Sequence, residues 1–253
     1  MAQTNHNALA DNVALVTGAS SGIGAATARE LAARGARLAL AARRADELDA
    51  VARSIRDAGG EAQTFIVDMA LPEQVERLAR AVTEAFGRVD VLVNNAGIGA
   101  KPLTRSTGDE IIRIVDVNLL GPMLLSRALL PGMLERHHGR IISVASVSGH
   151  IATDPLYSGT KFGLRGFSLS LNRKLRGTGV TASLVSPGFI RTSMTAARHT
   201  PMPGPKVVAR AVANLAAHPR REVIVPRIYR GAIWAEHLLP WLADRALSGR
   251  RAP

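Results

Sequence analysis

Short aliphatic runs alternate along the chain with longer stretches whose apolar positions recur every three or four residues. Val13 to Thr17, Arg37 to Ala42, Ala62 to Val67, Val89 to Asn94, Arg140 to Ser146, Thr181 to Ser186 and Glu222 to Val225 read as strands. Ile23 to Arg34, Glu73 to Phe86, Glu110 to Leu130, Gly159 to Arg176 and Lys206 to Ala217 read as helices. In the first of these, Ile23, Thr27 and Leu31 fall at i, i+4 and i+8, which turns one stripe toward a sheet. Val91-Leu92-Val93 and Ile141-Ile142 lack polar alternation, as strands covered on both faces do. The alternation predicts repeated βαβ units, a parallel sheet and an α/β fold. With no internal repeat or linker, residues 1–253 read as a single domain carrying a flexible N-terminus (1–11) and a basic, amphipathic C-terminal extension (227–253). Thr192 to Lys206, with prolines at 201, 203 and 205, reads as a mobile loop.

Composition narrows the chemistry. The chain is 47% hydrophobic and 21% charged, the balance of a globular protein, so disordered and coiled-coil readings drop out. It has no cysteine, which excludes disulfides, thiolate catalysis and the usual structural zinc sites, and no metal is expected. The net charge is +12, and the stretch from Arg198 to Pro253 holds ten basic and three acidic residues. Such an excess suits nucleic acid, anionic lipid, or acidic substrates and carrier proteins, with a solvated arginine-rich surface as the plainer reading. Aromatic residues make up 4% of the chain, too few for a single-strand stacking platform, so no nucleic-acid partner is expected. Met1 to Asn12 is polar, unlike a signal peptide, and no unbroken apolar run approaches the roughly 18 to 20 residues of a membrane span, so a cytoplasmic protein is expected. From Ile228 to Leu247, Ile233, Trp234, Leu238, Leu239, Trp241, Leu242 and Leu247 mix with Arg230, His237 and Arg245. Pro240 interrupts the segment, and packing on a partner subunit is favoured over lying on a bilayer.

After the first strand the chain reads Thr17-Gly18-Ala19-Ser20-Ser21-Gly22-Ile23-Gly24 and enters the first helix. Glycines there let the backbone turn tightly and bring a pyrophosphate against free N–H groups and the positive helix end. A carboxylate about 20 residues on would select NAD, but the second strand ends Ala41-Ala42-Arg43-Arg44. Guanidinium groups at that point suit a 2′-phosphate, so NADP(H) is the expected cofactor, with Arg43 preferred over Arg44. Tyr157 and Lys161 stand four apart in a helical stretch and share a face, where an ammonium would lower the phenol toward working pH.

Taken together, the turn from Thr17 to Gly24 (TGxxxGxG), Asn94-Asn95-Ala96-Gly97, Tyr157-Ser158-Gly159-Thr160-Lys161 (YxxxK) and Pro187-Gly188 followed by Thr192 resemble the classical short-chain dehydrogenase/reductase family, from about Asp11 to Pro226. The resemblance implies a Rossmann-like doubly wound domain with a seven-stranded parallel sheet, helices on both faces, and a homodimer or homotetramer. It implies that Tyr157 exchanges a proton with the substrate oxygen and that Lys161 bonds the nicotinamide ribose. Asn118 would hold a water in the proton relay, and Thr192 would bond the carboxamide. Asp68 would contact the adenine, Asn94 would border the cofactor, and further contacts fall at Met69, Asn95, Ala96, Gly97, Pro187, Gly188 and Ile190. The family serine usually lies about 13 residues before the tyrosine, which here is Val144; Ser146, eleven before, aligns better than Ser148 or Ser143, with two residues missing from the loop Gly149 to Leu156. His137 and His138 read as a solvated helix end, and His150 as a liner of the substrate pocket.

These features lead to an NADP(H)-dependent oxidoreductase acting on a secondary alcohol or ketone. A hydrophobic small molecule is the favoured substrate, on the resemblance of Lys161 to Ser168 to family members with such substrates. A 3-oxoacyl group on an acidic carrier protein is the alternative, and a non-catalytic NADP(H) sensor a more distant one.

Overall fold

The computed structural model describes residues 8–196, 201–241 and 244–245. Seven strands, β1 (Val13–Thr17), β2 (Arg37–Ala42), β3 (Ala62–Ile66), β4 (Val91–Asn94), β5 (Gly139–Val144), β6 (Val180–Pro187) and β7 (Glu222–Val225), pair in parallel in the order β3-β2-β1-β4-β5-β6-β7. Every residue of β1 and β4 is buried, which is why their sequences run apolar without alternation. On one face α1 (Gly22–Ala32), α2 (Ala45–Arg56) and α7 (Lys206–Ala217) close a core around Val16, Leu38, Leu40, Val93 and Val185. On the other, α3 (Pro72–Phe86), α5 (Gly121–Glu135) and α6 (Pro155–Lys174) cover Leu15, Leu92, Ile141 and Ala182. β1 is flanked by β2 on one side and by β4 on the other, so the direction of winding reverses there. At that reversal the loops leaving the strand C-termini diverge and open a crevice.

Three departures from the sequence reading bear on the crevice. The helix expected from Glu110 to Leu130 is α4 (Gly108–Val115), a π-helical turn (Asp116–Leu120) and α5. By length and composition the whole stretch Gly108–Glu135 suffices for a membrane span, contrary to the expectation from unbroken apolar runs. It buries Ile114, Val117, Leu125, Leu129 and Met133, the pattern of a core helix. α6 starts at Pro155 rather than Gly159, because Pro155 fits a first helical turn and the Asp154 carboxylate accepts the Tyr157 N–H at 2.7 Å. Tyr157 is thereby fixed in the first turn.

The N-terminus is less free than expected. Residues 1–7 lie outside the described ones, but Leu9 is buried and its N–H donates to the Arg34 carbonyl. In the segment read as a mobile loop, Ser193–Thr195 forms a 3-10 turn and the Arg191 N–H reaches the Pro203 carbonyl; residues 197–200 lie outside the described ones.

Candidate active site

The glycine-rich turn leaves β1 and enters α1 in a shape that side chains would block. Gly18 and Gly22 have φ of +66° and +55°, and a Cβ on Gly24 would stand 2.2 Å from the Gly18 carbonyl oxygen. Ser21 takes the N-cap position without a side-chain cap, and no acidic residue occupies the first turn of α1. The positive end of the helix therefore faces the crevice with backbone N–H groups to offer. Ile23 packs against the core, and Thr192 lies across the turn, its Cγ2 3.4 Å from where a Gly22 Cβ would be.

Both arginines after β2 are exposed. Arg44 donates to the hydroxyls of Ser20 and Ser21 at 3.0 and 2.7 Å and pairs with Glu47 at 3.1 Å, so this guanidinium, not that of Arg43, is anchored on the turn. Arg43 is close enough to act on Asp68 through its charge. Asp68 also pairs with Arg113 at 2.8 Å and accepts the Ala70 N–H at 3.0 Å. Burial opposes its charge, but these hydrogen bonds and the two arginines hold its carboxyl below the usual range.

Beneath the turn, Thr17 accepts the N–H groups of Asn95 and Ala96, both at 3.1 Å, and Asn95 Nδ2 donates to the Thr17 carbonyl at 2.8 Å. These bonds lock the end of β4 to the end of β1. Asn94, expected at the cofactor, is instead 1% exposed with its amide on Ser126 Oγ, because a side chain one residue earlier in the strand points to the opposite face. Met69 and Ile190 are core residues by side chain, and Pro187 continues β6 opposite Val225. The ring of Tyr229 fills the space where a Gly188 Cβ would sit.

Three of the expected catalytic side chains converge past β5. Ser146 is close enough to Tyr157 to act on its phenol. Ser148 contributes only its N–H, to Ser146 Oγ at 3.0 Å, and Ser143 is buried against Ser168 Oγ at 2.9 Å, so Ser146 is the serine at the tyrosine. Lys161 Nζ lies 5.6 Å from the Tyr157 ring centre and donates to the Val144 carbonyl at 3.2 Å. Asn118 belongs to the π-helical turn, a distortion common at functional sites. Its Oδ1 accepts the Ile98 N–H at 2.8 Å, and its Nδ2 donates to the Ile98 carbonyl and to Thr160 Oγ1. Gly97 closes the group: a Cβ there would stand 3.3 Å from Asn118 Oδ1 and 3.5 Å from Lys161 Nζ.

The electrostatics of the pair differ from the expectation. Burial pushes the Tyr157 phenol above its usual value, and Ser146 offsets only part of that. Burial also brings Lys161 down to about 8. In this desolvated setting both groups lean toward their neutral forms, so the lowering of the tyrosine expected from the i, i+4 spacing is absent.

A second network went unread in the sequence. His150 is 4% exposed, and its Nε2 lies 2.7 Å from Glu222 Oε1 and 3.2 Å from Ser186 Oγ. Arg165 reaches both Glu222 oxygens at 3.2 and 3.3 Å, and Ser186 donates to Oε1 at 3.0 Å. Burial works against the Glu222 charge, but the bonds from His150 and Arg165 prevail and hold its carboxyl at about 2. The bridge ties the loop after Ser146 to α6, one turn past Lys161, and to the ends of β6 and β7. His150 is thus part of an interior clamp instead of a pocket liner.

A sequence profile described as short chain dehydrogenase matches residues 12–202. The chain is 41% identical over 192 residues to a 3-oxoacyl-[acyl-carrier-protein] reductase of Synechocystis, covering 74% of this chain and 78% of that one. Among solved structures, a metagenomic short-chain oxidoreductase in complex with NADP is similar at 40% identity and a TM-score of 0.77, over 86% of this chain and 98% of that one. A short chain dehydrogenase/reductase from Burkholderia phymatum in complex with NAD is similar at 28% identity and a TM-score of 0.85, over 92% and 95%. The doubly wound sheet, the glycine turn and these matches lead to one assignment: the chain belongs to the short chain dehydrogenase family, oxidoreductases of the alcohol and carbonyl pair.

Proposed function

We propose that the protein is an NADP(H)-dependent oxidoreductase that interconverts a secondary alcohol and a ketone on an apolar small molecule, with Tyr157 as general acid and base. The observation that carries this reading is the convergence of Ser146 and Lys161 on Tyr157, with Lys161 Nζ buried 5.6 Å from the centre of its ring. A dinucleotide suits these residues: the Gly18 to Gly24 turn leads into the uncapped positive end of α1, whose N–H groups suit a pyrophosphate, and Arg43 and Arg44 offer charge for a 2′-phosphate. Bound NADP(H) supplies or accepts the hydride. The Tyr157 phenol is protonated at neutral pH, as a phenol ordinarily is, and that is the form that donates to a carbonyl oxygen. Ser146 Oγ bonds that oxygen and holds the charge that develops on it. Lys161 and Asn118, beside Gly97, form the polar floor through which Tyr157 regains its proton. Exposed Phe189 and Met194, the latter 3.8 Å from where a Gly99 Cβ would be, favour an apolar substrate. A homodimer or homotetramer in the cytoplasm is the setting we assign it.

A second reading, reduction of a 3-oxoacyl thioester on an acidic carrier protein, draws on the name of the Synechocystis relative and on the +12 charge. One experiment addresses both: fluorescence titration with NADPH and NADH, then NADPH consumption with apolar ketones and with a 3-oxoacyl carrier protein. Turnover of an apolar ketone that falls at least about a thousandfold in Tyr157→Phe supports the first reading. Turnover confined to the carrier-bound thioester transfers the assignment to the second, and unchanged turnover in Tyr157→Phe refutes the role of the tyrosine.

A further inference from the structure

We propose that the C-terminal helix docks the protein on an anionic lipid bilayer, a property independent of the reaction assigned above. α8 (Tyr229–Leu238) inverts the usual pattern of a surface helix, which turns its apolar stripe inward. Among its described residues only Ile233 is buried, while Tyr229 leans on the loop after β6, its hydroxyl accepting the Phe189 N–H at 3.3 Å. The side turned to solvent carries Trp234 and Leu238, four apart and 69% and 62% exposed. Ile228 continues the strip at one end, 82% exposed, and Leu239 and Trp241 at the other. Exposed apolar residues scattered singly are ordinary, but five within 14 positions form a patch that calls for an occupant.

The chemistry of the patch selects the occupant. Both tryptophans of the chain are in it, and indole favours the boundary between headgroups and acyl chains. Arg227, Arg230 and Arg245 are exposed around it, against Glu236 and Asp244. Over residues 227–253 the sequence carries five arginines and two acids, a net +3 in a chain of +12. A second copy seated on the strip would bring another segment of net +3 against the first. An anionic surface instead receives the arginines while the apolar side chains enter the interface, the combination that holds peripheral helices on membranes. Since Tyr229 braces the loop that leads to Thr192, the docked helix lies beside the crevice.

Because Trp234 and Trp241 are the only tryptophans, intrinsic fluorescence reports on this segment alone. Purified full-length protein is mixed with vesicles of phosphatidylcholine, with or without about 30 mol% phosphatidylglycerol. Flotation is measured in parallel at low and high salt. The expected result is a blue shift and co-flotation with the phosphatidylglycerol vesicles that weaken with salt, and little binding to phosphatidylcholine alone. Arg227→Glu with Arg230→Glu, which leaves both tryptophans in place, reduces partitioning at least about 30-fold. Retained far-ultraviolet dichroism and thermal midpoint show that the variant is folded. Failure to bind phosphatidylglycerol vesicles overturns the proposal, as does equal binding to both compositions. A blue shift that grows with protein concentration in the absence of lipid also overturns it and assigns the strip to a second copy.

Discussion

Replacing Glu222 with glutamine removes one charge from the clamp while keeping its size, and the structure sets what that costs. The carboxylate accepts from His150, Ser186 and twice from Arg165, and it is held at about 2 against an ordinary 4.5. A depression of that size corresponds to roughly 3 kcal/mol of stability at neutral pH. The side chain retains 16% of its exposure, so screening by solvent reduces this to about 2 kcal/mol. For a chain of this length that is a fall in Tm of about 4 to 8 °C. Because the folded-state value lies below the unfolded one, the stabilisation is complete above 4.5 and drains away as the pH falls toward about 2. Differential scanning fluorimetry of wild type and Glu222→Gln from pH 8 down to pH 3 should therefore give two curves, well separated at neutrality, that approach each other below pH 4.5. Equal midpoints at pH 7, or a gap that stays constant through the acid range, would refute the argument that this carboxylate clamps the fold.

Three further substitutions examine the crevice itself. Arg44→Ala frees the hydroxyls of Ser20 and Ser21 and should weaken NADPH at least about tenfold while leaving NADH within about threefold, with Arg43→Ala acting in the same direction; equal loss for both nucleotides in a titration would count against a phosphate clamp. Lys161→Met should abolish turnover yet raise the thermal midpoint at pH 7 by several degrees, because keeping a buried ammonium at about 8 instead of 10.5 costs roughly 3 kcal/mol. Here the unfolded chain binds the extra proton, so the cost is full below about 8 and disappears toward 10.5, and the advantage of the variant should shrink over that interval. A lower midpoint at pH 7 would show that the hydrogen bond to Val144 outweighs desolvation.

The sheet was legible because its central strands are short, buried on both faces and bounded by polar turns; β1, β2 and β7 have the ends their sequences suggest. Helix starts were less so. Asp154-Pro155 is a readable entry signal, and giving it weight would have placed Tyr157 in the first turn of α6. The π-helical turn at Asn118 leaves no trace in a periodicity, because it adds one residue to an otherwise regular stretch. Arg44 and not Arg43 folds back on the glycine turn, and neighbouring positions in a sequence do not encode that. The clamp lay further out of reach: His150 and Glu222 are 72 residues apart and meet only once β5, β6 and β7 are side by side.

The tyrosine and lysine show where spacing misleads. Four residues apart on a helix, an ammonium and a phenol do share a face, and in water the charge would favour the phenolate. In the folded protein the same helix carries both side chains under the loop after β5, where Lys161 is 3% exposed and gives a hydrogen bond to a backbone carbonyl. Removing water acts on each group separately, and it acts against charge in both. The tyrosine rises, the lysine falls, and their mutual attraction is too weak to reverse either. A phenol is protonated near neutrality with or without this shift, so the packing leaves the donor form in place while making it a weaker acid. The folding energy needed to bury Lys161 comes from the apolar layers on either face of the sheet, which connects the apolar pattern of the sequence to the protonation state of its catalytic candidate.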